Sequence, residues 1–170
     1  MAEDFVALYE LHYPRVVRAV ELAGAARHEA EDVAQEAFVR TLARWRWVRR
    51  GPSPAGYVYR VAFRLGRRPR GREVPLDEQG VGAVTGRNGG GAAGGDLAEG
   101  VATQLDVLAA LEAMPARRRS CAVACLVVGM TPKEAGHALG IAASTVRKQL
   151  ERARAELSGA LAEGIVRDGT

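Results

Sequence analysis

The sequence predicts an all-α protein: two small helical domains joined by a flexible Gly-rich linker, the second containing a helix-turn-helix. Hydrophobic residues make up 48% of the chain and aromatics only 5%. Ala, Leu, Val, Glu and Arg dominate the periodic stretches, which is a helix-forming composition. Apolar residues recur at helical spacing on both sides of a stretch, residues 80 to 100, that holds nine glycines and no aromatic, the composition of a flexible linker. A chain of 170 residues divided in this way leaves each half a small core, which favours short bundles over a large enzyme fold. The predicted division is 1–72, linker 73–102, and 103–165.

Three helices are expected in the first part. The first runs from about Asp4 to Ala23 with Phe5, Leu8, Tyr9, Val16 and Val20 on its apolar side and a kink at Pro14. The second, about His28 to Trp47, aligns Ala30, Val33, Ala34, Ala37, Phe38, Thr41, Leu42 and Trp45 as one packing stripe. The third takes Ser53 as N-cap and Pro54 at its first position, and buries Val58, Val61, Ala62 and Leu65. Its other face carries Arg60, Arg64, Arg67 and Arg68.

After the linker, Thr103 with Asp106 is the expected cap of a helix bearing Leu105, Leu108 and Leu111. Another helix follows Pro115 and ends at Gly129. Thr131-Pro132-Lys133-Glu134 reads as a capping box with Pro at the first helical position. The short helix it opens stops at Gly140. A final helix from about Ala143 buries Val146, Leu150, Ala153, Leu157 and Leu161, and the residues after Leu161 read as a frayed tail.

Thr131 to Leu150 has the layout of a helix-turn-helix. A small residue at Gly136 allows close crossing, Gly140 accepts a left-handed backbone, and Ile141 and Val146 fill the wedge between the helices. The second helix would then present Ser144, Thr145, Arg147, Lys148 and Arg152 to the major groove. Ala142, at the expected N-cap, has no side chain to cap with, and Ser144 is the alternative start. The bland reading is a helical hairpin with solvated charges.

Charge divides the first part sharply. Residues 1 to 39 hold eight acidic residues against three Arg, whereas residues 40 to 72 hold eleven Arg and no Asp or Glu. Interleaved with these Arg are Trp45, Trp47, Tyr57, Tyr59 and Phe63, a mixture that suits single-stranded DNA because Arg tracks the backbone while aromatics stack on bases. Trp45 lies on the packing stripe and is expected in the core. Trp47 and Tyr59 are the freer stacking candidates. The chain as a whole carries net charge +4 with pI near 9.5, a balance that points to nucleic acid and that a high-GC genome, by enriching Arg, would also produce.

No catalytic, metal or cofactor constellation is expected. His12, His28 and His137 are far apart in sequence, and no nucleophile or carboxylate pair has supporting context. Cys121 and Cys125 are expected to pack in a core. With no apolar run near the ~20 residues of a membrane span and no signal-peptide pattern, a cytoplasmic protein without membrane association is the expectation.

These residues resemble the extracytoplasmic-function sigma factors, the minimal group of the sigma-70 family. Ala30-Glu-Asp-Val-Ala-Gln-Glu-Ala-Phe-Val-Arg40 is similar to the family's polymerase-docking helix. Trp45 through Pro54-Ala-Gly-Tyr-Val-Tyr-Arg-Val61 is similar to its promoter-melting segment. Leu108 through Pro115, the helix-turn-helix, and Arg147 to Leu157 resemble its promoter-reading domain. The resemblance implies that Glu31, Asp32, Gln35 and Glu36 face the clamp of the largest subunit of core RNA polymerase, with the flap a second contact. It also implies that Trp47, Arg49, Arg50, Tyr59, Arg60, Phe63, Arg64 and Arg67 engage the minus-10 element as single-stranded DNA. Ser144, Thr145, Arg147, Lys148 and Arg152 would engage the double-stranded minus-35 element. An anti-sigma partner holds many relatives. Where many relatives carry Arg-Asn, this chain has Phe63-Arg64, so their minus-10 preference does not transfer.

A free coil of ~32 residues spans roughly 30 Å, against ~70 Å for two DNA turns and ~110 Å when fully extended. The linker must therefore be stretched for both domains to engage one promoter. Two rival readings remain: a helix-turn-helix regulator that acts without polymerase, and a decoy that docks polymerase but melts nothing.

Overall fold

The computed structural model describes the backbone of residues 2–66 and 97–168, and side chains over 4–66 and 104–162. Arg67, Arg68 and the predicted linker as far as residue 96 lie outside the described residues. Among the described residues every regular element is helical.

The first part comprises α1 (Ala2–Leu22), α2 (Arg27–Ala43), the single turn α3 (Trp45–Val48) and α4 (Pro54–Gly66). Helix α1 runs unbroken through Pro14. On α2, Ala30, Ala34 and Ala37 are fully buried, and these small side chains let α1 pack closely through Val16, Val17 and Val20. Thr41 is buried as expected, its hydroxyl donating to the Ala37 carbonyl at 2.7 Å, which satisfies it without a tertiary partner. Helix α4 starts as predicted: the Ser53 Oγ accepts from the Gly56 N–H at 3.0 Å, and Val58, Val61 and Ala62 close the core.

The predicted second helix is interrupted. It stops at Ala43, and Arg44, with φ −112° and ψ 14°, separates it from α3. Trp45 is still buried, edge-on to Phe5 with ring centroids 5.3 Å apart. The break changes the fate of Leu42, which is 53% exposed rather than buried in the stripe.

The second part comprises α5 (Leu97–Ala113), α6 (Ala116–Ala122), a π turn (Val123–Val127), α7 (Pro132–Leu139) and α8 (Ala143–Asp168). Helix α5 begins at Leu97, so Thr103 stands inside it and is not its cap. The glycine-rich composition carried the expected linker past Leu97-Ala98-Glu99, residues that favour helix. Leu105 is 61% exposed. The inward side of α5 is carried by Val107 and Leu111, and Met114, just beyond its end, joins the same cluster. At the other end α8 continues to Asp168 where a frayed tail was expected.

Gly129, at φ 82°, follows the π turn and turns the chain towards α7. Cys121 is buried and Cys125 half-buried, and burial pushes the Cys125 thiol up to about 11. Both are packing residues with little thiolate at neutral pH.

The two parts touch. Helix α4 packs on α7, and α1 meets the π turn and α5. Ala19 and Phe63 belong to the hydrophobic cluster of the second part, with Leu111, Met114, Met130 and Leu139, and not to the core of the first.

Candidate nucleic-acid interface

The helix-turn-helix forms from its predicted local signals. Thr131 Oγ1 accepts from the Glu134 N–H at 3.3 Å, and Glu134 Oε2 accepts from the Thr131 N–H at 2.8 Å, so the capping box is complete. Gly140 ends α7 in the left-handed region at φ 63°, ψ 39°. Helix α8 begins at Ala143, and the Val146 N–H donates to the Ala142 carbonyl at 3.1 Å. Ser144 therefore does not shift the helix start. Val146, Leu150 and Ala153 face inward. Ser144, Arg147, Lys148 and Arg152 are exposed on the other side, and Thr145 is half-buried. Arg118 from α6 braces the helix by reaching Gln149 at 3.3 Å and pairing with Glu156.

In the first part, α3 and the turn after it concentrate exposed cations around one ring. Trp47 is 72% exposed, and Arg46, Arg49 and Arg50 beside it are exposed. Arg46 was not among the predicted contacts, although its place next to Trp47 marks it. Tyr59, Arg60 and Arg64 on α4 are half-buried. Tyr59 lies edge-on to His12, with centroids 6.1 Å apart, and burial raises its hydroxyl pKa. It is less free than the sequence suggested.

Phe63 is buried. At 4% exposed it is packed into the cluster of the second part, so in this arrangement it has no face to offer a base. The resemblance implies a minus-10 contact for Phe63, and the cover that the second part lays over it has no local signature in the sequence. Arg67 lies outside the described residues.

On α2, Asp32, Gln35 and Glu36 are exposed and Glu31 is half-buried, opposite the buried alanines. Glu31 is paired with Arg27 at 3.0 Å and Glu36 with Arg40 at 2.6 Å. The same face continues into Val39, 60% exposed, and Leu42, since positions 32, 35, 36, 39 and 42 follow helical spacing. This apolar extension was missed because Leu42 fits the inward stripe equally well until α2 ends at Ala43. Among the described residues there is no group of three His, Cys, Asp or Glu placed to hold a metal ion, and no helix is long and apolar enough to cross a membrane.

A helix-turn-helix with a basic outer face, preceded by a second cationic surface around an exposed tryptophan, defines a protein shaped to meet DNA. Family models match in the same order: Sigma-70 region 2 over residues 8–68 and Sigma-70 region 4 over residues 104–157. The chain is similar to the ECF RNA polymerase sigma factor SigE of Mycolicibacterium smegmatis (strain ATCC 700084 / mc(2)155). The two are 27% identical over 170 aligned residues, covering 92% of this chain and 61% of that relative. The chain belongs to the sigma-70 family.

Proposed function

We propose that the chain is a sigma factor: it binds core RNA polymerase and directs promoter-specific initiation. In this reading residues 1–72 dock on the clamp and handle the minus-10 element. Residues 103–165 contact the flap and read the minus-35 element, and the protein acts in the cytoplasm.

One observation carries the reading. A single chain combines an acidic face on α2 that ends in exposed Val39 and Leu42 with two separate cationic surfaces. A regulator acting alone on duplex DNA needs the α8 face and has no use for the other two. The α2 face has the chemistry of a docking surface, apolar side chains beside charges that fix register. Glu31, Asp32, Gln35 and Glu36 are its polar part.

For DNA, Arg147 and Lys148 on α8 supply forks and charge to base edges and phosphates of a duplex. Trp47 with Arg49 and Arg50 supplies stacking and charge to an unpaired strand, where each stacked base contributes ~1–3 kcal/mol. Arg60 and Arg64 extend that surface along α4. An anti-sigma chain could silence the protein by covering the α2 face or either cationic surface.

Run-off transcription with purified core polymerase tests the proposal. Addition of the chain should produce discrete promoter-dependent transcripts, and charge reversal at Asp32 and Glu36 should abolish them. Specific duplex binding by the chain alone, with no transcripts, would favour the polymerase-independent regulator.

A further inference from the structure

We propose that a cavity between the corner of α1 and α2 and the helices α5 and α6 is a binding site for a small phosphate-bearing ligand, held by Arg119 together with Arg18 and Arg27. None of these three residues is among the proposed polymerase or DNA contacts.

The cavity measures about 390 Å³, within the range of about 300–1,000 Å³ usual for small-ligand sites. Arginines from three helices line it: Arg18 of α1, Arg27 at the start of α2 and Arg119 of α6. Two carboxylates, Glu21 and Glu112, stand against them, so the lining keeps an excess of positive charge. Glu21 is shared between the first two arginines, 3.6 Å from each. Arg27 also donates through its Nε to Glu31 at 3.0 Å.

Arg119 is placed differently. Its Nε is buried and has no hydrogen-bond partner among the described residues, a state in which folded proteins leave few donors. The guanidinium lies over Gly24, with Nη1 3.3 Å and Cζ 3.5 Å from where a Cβ would stand. Gly24 has φ 112°, a conformation that favours glycine, and its lack of a side chain is what lets the planar group settle into the corner. The fork is thus fixed by backbone at the cavity wall while one of its donors waits for an acceptor. A guanidinium held in this way matches two oxygens of one phosphate. A single carboxylate would satisfy Arg119 alone, whereas a diphosphate spreads its charge over all three arginines. Leu22, Leu108 and Leu111 supply an apolar wall, so the space suits a phosphate that carries an organic group better than a bare ion.

The test uses the full chain with ADP as the probe and with pyrophosphate and sulfate beside it. Titration calorimetry should find one saturable site for ADP, and saturating ADP should raise the melting temperature of the chain, as binding to the folded state requires. Arg119→Gln should weaken ADP binding about tenfold or more, through loss of a charge-assisted fork. Arg18→Gln, at a side chain that is 54% exposed, should weaken it in the same direction and is the decisive variant if Arg119→Gln does not fold. Arg154→Gln removes the same charge from an exposed position on α8 outside the cavity and should leave ADP affinity unchanged. Pyrophosphate weaker than ADP supports a site that also holds the organic group, and pyrophosphate equal to ADP supports one that reads the phosphates alone. The proposal is overturned by the absence of a saturable site, by sulfate binding as tightly as ADP, which would mean an adventitious ion only, or by ADP affinity that survives intact in both Arg119→Gln and Arg18→Gln.

Discussion

Gly136 and Ile141 meet backbone to backbone: the Ile141 N–H donates to the Gly136 carbonyl at 3.0 Å, and a Cβ on residue 136 would stand 2.7 Å from the Ile141 carbonyl oxygen. That oxygen is main chain and cannot swing aside. Gly136→Ala must therefore push α7 away from the start of α8, at a cost of about 1–3 kcal/mol typical of overpacking. Chemical denaturation should report the loss. Binding to duplex promoter DNA should fall with it, because the same contact sets the angle of α8.

Thr131→Ala is expected to cost less. The Thr131 hydroxyl donates to Glu134 Oε2 at 2.8 Å and accepts from the Glu134 N–H, and loss of such a cap costs about 1 kcal/mol. Thr131→Ser retains both bonds and should restore most of the stability. Denaturation midpoints for the two variants check the order, and equal loss in both would mean that the threonine methyl, not the cap, matters.

The docking face separates affinity from stability. Val39 and Leu42 touch solvent over more than half of their surface, so Val39→Ser with Leu42→Ser should leave folding within about 0.5 kcal/mol per site. Affinity for core polymerase should fall about tenfold or more, as happens when apolar anchors of an interface are lost. Titration of labelled chain against core enzyme, beside a thermal melt of the free chain, reads both quantities.

Stability should also depend on His12. Its imidazole pKa is held below the ordinary 6.5, first by burial and then by the nearby Arg15 charge, and its Nδ1 is buried without a hydrogen-bond partner. The unfolded chain therefore takes up the proton first as pH falls. The contribution of His12 is intact above 6.5 and is lost as pH drops below that value towards the folded pKa. Denaturant midpoints at about pH 7.5 and 5.5 should differ more for the wild type than for His12→Gln.

Much of this was legible in the sequence where a local signal carried it. Ser53-Pro54, Thr131 to Glu134 and Gly140 each act within one turn of chain, and each forms as read. Small-residue spacing at Ala30, Ala34 and Ala37 identified the inward side of α2. What failed to show was non-local. Nothing near Phe63 signals that Leu139, far along the chain, will cover it. Arg44 is an unremarkable residue on which to end a helix, so Leu42 was placed on the wrong side. The start of α5 was hidden by composition, because glycine density up to Gly100 outweighed the helix-forming residues from Leu97 onward.

Arg147 and Lys148 should prove different in kind although both are exposed neighbours on α8. A guanidinium presents a planar fork that matches the O6 and N7 of guanine, while an ammonium acts as a point charge towards phosphate. If Arg147 reads a base edge, Arg147→Ala should cost about 1–3 kcal/mol on the preferred duplex and little on unrelated sequence. If Lys148 meets a phosphate, Lys148→Ala should weaken binding to all duplexes alike and lower the slope of log affinity against log salt by about one. Salt titrations on a matched and a scrambled duplex, run with polymerase holoenzyme, distinguish the two. Identical behaviour of both variants on both duplexes would mean that α8 contributes charge alone and that sequence is read elsewhere.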